Sequence, residues 1–138
     1  MGRYIPEALR KLVVARADNS CEYCRSPQQY AGFTFEIDHI VPLKHGGETK
    51  ENNLALSCPI CNGNKGSDLG TLLPESSGEV IRFFNPRMHF WDDHFYMQHG
   101  SIIGKTPEGR ATVLIFGMNT DQDCLYRSML VSASLMKP

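Results

Sequence analysis

Between Pro6 and Ala17 the apolar residues Leu9, Leu12, Val13 and Ala15 fall near one face of a 3.6-residue period. Pro6 suits a first turn and Asp18-Asn19-Ser20 breaks the run, so the spacing predicts a short helix. Residues 33–41, Phe-Thr-Phe-Glu-Ile-Asp-His-Ile-Val, alternate apolar with polar and are rich in branched and aromatic types. That is the pattern of a half-buried strand, which Pro42 ends. A polar loop over 43–52 carries Gly46-Gly47, and the apolar segment 53–57 returns as a second strand. Pro59 then opens a helix that Gly66 or Gly70 closes.

Pro, Ser and Gly cluster over 73–78, which makes that segment the best linker candidate and puts a boundary near it. After it come an extended stretch over 79–84 and a hairpin in which 95–97 and 101–103 flank His99-Gly100. Thr106-Pro107-Glu108 reads as an N-cap, a first-turn Pro and an acidic residue, favouring a helix from Pro107. Residues 112–117 are apolar and β-branched enough to form a strand instead. Residues 122–136 read as a closing helix with Leu125, Met129, Leu130 and Leu135 turned inward.

The 138 residues suit one domain or a small domain with a substantial extension. With 41% hydrophobic and 21% charged residues, the composition is that of an ordinary globular chain. No stretch reaches the roughly 20 apolar residues of a spanning helix, which excludes a helical membrane protein. Fourteen Lys and Arg stand against fifteen Asp and Glu, so a nucleic-acid partner has to be argued from a site, not from bulk charge. The N-terminus lacks the basic run and apolar core of a secretory signal, which predicts a cytoplasmic, reducing setting.

In that setting the cysteines point to metal and away from disulfides. Cys21-x-x-Cys24 and Cys58-x-x-Cys61 are two identical pairs, and Cys124 is left over as a small buried residue of the closing helix. Four thiolates match tetrahedral Zn²⁺ in number and softness, and a two-residue spacing turns both sulfurs of a pair toward one ion. The 33 residues from 25 to 57 exceed an ordinary zinc-ribbon spacing, so an element with its own structure is clamped between the knuckles. A closed four-thiolate site leaves no open position and serves folding.

Between and just beyond the knuckles lie Glu36-Ile37-Asp38-His39-Ile40-Val41-Pro42, Gly46-Gly47, Asn52-Asn53-Leu54 and Cys61-Asn62-Gly63-Asn64-Lys65. Cleaving a phosphodiester needs a deprotonated water and a cation to neutralise charge on the phosphate and leaving oxygen. His39 titrates near neutrality and can be the base, while Asp38 and Asn62 offer hard oxygens suited to Mg²⁺ or Mn²⁺. Neighbouring strand positions point to opposite faces, so Asp38 and His39 serve one phosphate only if the strand twists or bulges. Asn53 is either a loop-positioning residue or a simple turn residue, and Glu36 either a supporting carboxylate or a solvated one. Lys65, a turn beyond Asn62, is a candidate phosphate contact or an ordinary exposed lysine.

These motifs, spread over about residues 4–70, resemble those of the HNH endonucleases, whose active site sits on a ββα-metal finger. Asn62 stands where many members carry His, a variant the family also uses. The resemblance implies that Asp38 and Asn62 bind one divalent ion and that His39 activates water. It further implies that Asn53 holds the loop orienting the base, and that the products are a 5′-phosphate and a 3′-hydroxyl. The segments Phe84-Asn85-Pro86-Arg87, Trp91 to Phe95 and Gly104 to Val113 are similar to an extension found in stand-alone bacterial HNH nucleases. There Arg87, Arg110 and Trp91 either contact nucleic acid or dock the extension on the finger, docking being favoured because so small a finger buries little core. The five-residue recurrence of His89, His94 and His99 argues against a second metal.

The expected fold is α+β: a zinc-stapled ββα-metal (HNH) finger with an N-terminal helix and a C-terminal hairpin-plus-helix extension. Residues 1–72 would be the nuclease core and 73–138 the extension packed on it. The expected activity is metal-dependent hydrolysis of DNA. Phosphate contacts carry no DNA-versus-RNA information, so an RNA nuclease is one alternative and a non-catalytic zinc-dependent nucleic-acid-binding module another.

Overall fold

In a computed structural model that describes residues 4–138, Glu36–His39 (β1) pairs antiparallel with Leu54–Ser57 (β2). The register runs without interruption from Glu36 opposite Ser57 to His39 opposite Leu54, so β1 carries no bulge. The strand is shorter than its alternating pattern, because the regular pairing begins only at Glu36 and Pro42 follows soon after it. Helix α1 (Glu7–Arg16) lies on β2, and helix α2 (Pro59–Lys65) lies on β1. Pro59 fills the first turn of α2 and Gly66, at positive φ, ends it. In α1 Val13 is the fully buried residue, while Leu12 of the same apolar stripe remains 40% exposed. Arg16, at its C-terminus, donates to the carbonyls of Glu51 and Leu54 and so ties the helix to the start of β2.

These elements make up the first of two compact units, which contains the chain up to Leu69 together with Asn85–Met88. The knuckle of Cys21 and Cys24 joins β2 through Glu22, whose N–H donates to the Leu56 carbonyl and whose carboxylate accepts from the Leu56 N–H. Arg87 closes the same region by an ion pair with Glu22.

The second unit comprises Gly70–Phe84 and the chain from His89 onward. Gly70–Leu72 (β3) and Val80–Arg82 (β4) form one hairpin, and the Pro/Ser/Gly cluster over 73–78 is its connection, folded into a 3₁₀ turn at Pro74–Ser76. A short helix α3 (Trp91–His94) leads into a second hairpin of Phe95–Gln98 (β5) and Ser101–Gly104 (β6). His99 and Gly100 both take positive φ at its turn, as a two-residue hairpin of the right twist requires. Helix α4 (Pro107–Phe116) prevails over the strand alternative, and the Thr106 hydroxyl caps it by accepting from Gly109 N–H. A Cβ on Gly109 would strike the His94 carbonyl, so the glycine lets α4 approach closely.

Helix α5 (Asp121–Ser132) departs from its apolar reading. Leu125 and Met129 are 62% and 61% exposed and Leu135 is exposed too; Leu130 is buried, and the other inward residue is Arg127. The Arg127 guanidinium donates to the carbonyls of Gly100 and Met118 and to Asn119 Oδ1, satisfying loop acceptors that a leucine would leave unpaired. Cys124 is half-buried, its sulfur 3.3 Å from Ser101 Oγ. Among the described residues, no helix is long and apolar enough to cross a membrane.

Candidate active site and metal centre

The Cys-x-x-Cys turns close through backbone N–H bonds to sulfur, from Cys24 to Cys21 Sγ at 3.5 Å and from Cys61 to Cys58 Sγ at 3.4 Å. All four cysteines are buried and their sulfurs lie within 4.8 Å of one another. The Cys24 and Cys58 sulfurs are 3.8 Å apart. Zn–S bonds near 2.3 Å in a tetrahedron place sulfurs about 3.8 Å apart, so the cluster fits one zinc ion. Burial pushes the Cys21 thiol well up, while hydrogen bonds among the sulfurs push Cys61 up and Cys24 well down. Four thiolates this close and this buried need a cation between them. Among the described residues, this is the group of His, Cys, Asp and Glu side chains near enough together to hold a metal.

One edge of the finger opens on a cleft of about 550 Å³ lined by Glu36, Asp38, His39 and Asn62, with Arg10, Lys44 and Ser67 at its walls. Alternation along β1 gives Glu36 and Asp38 one face and His39 the other, yet Asp38 and His39 both line the cleft, His39 standing at the strand's last position. Asp38 is 5% exposed. Its Oδ2 accepts from the Tyr23 hydroxyl at 2.6 Å and its Oδ1 from Lys65 Nζ at 3.2 Å. Burial pushes the Asp38 carboxyl above its ordinary value, against the opposing pull of Lys65 and of the Tyr23 hydrogen bond. Burial first, and then the Asp38 charge, hold Tyr23 well above an ordinary phenol, which keeps its proton available to donate.

Asn62 donates its Nδ2 to a Glu36 carboxylate oxygen. That orientation leaves Oδ1 as the amide's acceptor. Each Asp38 oxygen likewise has a lone pair beyond the one already engaged. A carboxylate and an amide oxygen on one cleft are a donor set suited to a hard divalent cation. Glu36, which the sequence leaves undecided, is therefore partnered with Asn62.

His39 Nε2 is 2.9 Å from Thr49 Oγ1, which fixes the ring against the loop. The loop itself is tied by Asn53, whose Oδ1 accepts from Val41 N–H while its Nδ2 donates to the carbonyls of Val41 and Glu48. Gly47 folds back beneath Val41, where any Cβ would collide with the Val41 carbonyl. The Gly-Gly and Asn signals of the sequence thus meet in one place.

Lys65, the candidate phosphate contact, is turned inward at 2% exposure, its Nζ shared between Asp38 and the His39 carbonyl. The exposed cations on the cleft are Arg10 from α1 and Lys44 from the loop. Arg10, Tyr23 and Thr49 were not singled out by the sequence, because each reaches the site through tertiary folding and none shares a local motif with His39. In the second unit His89 and His94 do come together, their rings 4.8 Å apart and packed on Phe84.

Residues 21–68 match the sequence profile of the family described as HNH endonuclease. Over 136 residues the chain is 27% identical to the Septu protein PtuB of Bacillus thuringiensis. That alignment takes in 97% of this chain and 48% of the relative, so the chain spans about half the length of the curated relative it matches. No solved structure matches the chain.

Proposed function

We propose, from the match of residues 21–68 to the HNH endonuclease family, that the chain is a metal-dependent nuclease hydrolysing phosphodiester bonds of DNA. The observation that carries this reading is the shared cleft: Asp38, His39 and Asn62 line one opening on a finger fastened by four buried cysteines. His39 accepts the proton of the attacking water at its imidazole, held in place by Thr49 and by the loop that Asn53 closes. Asp38 and Asn62 present oxygens to the divalent ion. When bound, Mg²⁺ or Mn²⁺ supplies the positive charge that offsets the charge building on the phosphate and the leaving oxygen. Arg10 and Lys44, exposed at the walls, attract the flanking phosphates, the role for which Lys65 is too deeply buried. Zinc on Cys21, Cys24, Cys58 and Cys61 holds the finger and takes no part in the chemistry. Because the likeness to the Septu protein PtuB runs through both units, the second unit belongs to the working protein in this reading.

Supercoiled plasmid incubated with the purified protein and Mg²⁺, Mn²⁺ or EDTA tests the proposal, with His39→Ala alongside. Nicking that needs the metal and falls by about 10²- to 10⁴-fold in the variant, at unchanged zinc content, is the expected result. Cleavage that survives His39→Ala overturns the assignment of the base. Binding of plasmid with no cleavage under any metal would favour the module that only binds.

A further inference from the structure

The first zinc knuckle is Cys21-Glu22-Tyr23-Cys24, and neither residue between its cysteines faces away from the fold. Glu22 fastens β2 and Arg87. Tyr23 is 0% exposed and its hydroxyl reaches 2.6 Å to Asp38 Oδ2. Lys65, four residues beyond Cys61 on the helix of the second knuckle, takes the other oxygen at 3.2 Å. The carboxylate is thus gripped on both sides by residues rooted in the two cysteine pairs. A carboxylate held by one donor can turn about its Cβ–Cγ bond; one held at both oxygens cannot turn without breaking a buried hydrogen bond.

We propose that Tyr23 is a positioning residue: its hydroxyl, anchored between two zinc ligands, sets the plane of the Asp38 carboxylate and thereby the affinity of the cleft for its divalent ion. The inference rests on the reading of Asp38 as a metal ligand. It extends to the cysteine pair a role beyond stability, since the knuckle that holds zinc also aims the oxygen that meets the second metal. Residues that orient metal ligands in this way commonly change affinity by about 10- to 100-fold when removed.

Tyr23→Phe deletes the hydroxyl and keeps the ring. Mn²⁺ binding without DNA, followed by calorimetry and by the electron paramagnetic resonance of free Mn²⁺, should weaken about tenfold or more. Zinc content should stay at one ion per chain, and cleavage should recover when Mn²⁺ is raised. Binding equal to that of the unaltered protein overturns the inference, as does a loss that tracks zinc release. Asp38→Asn separates the two levels. If it abolishes Mn²⁺ binding while Tyr23→Phe leaves the affinity unchanged, the positioning role alone falls; if the unaltered protein binds no Mn²⁺, the metal-dependent reading falls with it. Should Tyr23→Phe fail to fold, the tyrosine ultraviolet difference spectrum of the unaltered protein answers the same question. Mg²⁺ addition should perturb it, and Asp38→Asn should remove that perturbation; a spectrum unmoved while Mg²⁺ binds overturns the role.

Discussion

Phe83, Phe84, Phe95, Phe116 and Trp91 fill the second unit, whereas the first buries, beside Phe35 and a set of aliphatic residues, four cysteines and the network of Tyr23, Asp38 and Lys65. In the second unit rings meet edge-on at 5.1 Å between Phe83 and Phe116 and 5.2 Å between Phe84 and Phe95. Such packing is strong but gives little direction to a polar group. The first unit is built on one two-stranded hairpin and short helices, and small folds of that kind commonly carry a metal or disulfide staple. A staple made of ligand bonds tolerates a buried carboxylate and ammonium beside it. Aromatic packing fills the second unit, and metal ligation suits the one whose cleft must hold an acid, a histidine and an amide at fixed positions.

The largest effect expected from this contrast is at the staple. Cys58→Ser should cost the first unit most of its zinc affinity, a term on the order of 10 kcal/mol in small zinc-dependent folds. Zinc content and the main thermal transition should fall together. A variant that stays folded with a full zinc complement would break the comparison at its root. Next comes the aromatic core: Phe116→Ala, fully buried, should cost about 3–5 kcal/mol in denaturant unfolding and leave zinc at one ion per chain.

Smaller again is the loop at the active site. Asn53→Ala removes one acceptor and two donors from Val41 and Glu48, and should cost about 1–3 kcal/mol. Asn53→Asp keeps the shape and the acceptor for Val41 N–H, yet loses both donations. If Asn53 positions the base, both variants should slow plasmid nicking while zinc content holds. Stability lost without any slowing would reduce Asn53 to a turn residue.

Much of this organisation could be read from the chain, and the boundary of legibility follows sequence separation. The knuckles, the strand pair and helix α2 announce themselves because their signals are local: a two-residue spacing, an alternation, a proline at a helix start. Thr106-Pro107 favours α4 for the same reason, although the β-branched run after it leaves a strand open until the structure shows the helix. What could not be read is contact at a distance. Tyr23 and Asp38 are 15 residues apart, and Lys65 and Asp38 27 apart, and no local pattern pairs them. Closing helix α5 failed differently: its leucines obey a helical period, but the carbonyls of the Gly100 turn and the Met118 loop required a donor, and Arg127 took the inward face from them. A period describes where apolar residues fall; it does not say what the opposite surface needs.

The smallest expected effect lies in the second unit and is one of pH. Burial lowers the pKa of His89 below the ordinary histidine value of 6.5, with the neighbouring His94 and Arg82 acting in the same direction and Glu108 opposing them. The unfolded chain therefore takes up this proton first as pH falls, and stability declines with falling pH while the unfolded state binds more protons than the folded one. The contribution is fully present above pH 6.5 and is lost as pH drops from there through the lowered value of the folded state. His89 is half-buried, so the change in thermal midpoint should be small and should flatten in high salt only for the part due to His94 and Arg82. Thermal unfolding of the unaltered protein and of His89→Gln, followed on both sides of that pH, checks it: the acid-side slope should be shallower in the variant. An equal slope in both would assign the acid sensitivity to the first unit, where protons compete with zinc for the cysteines.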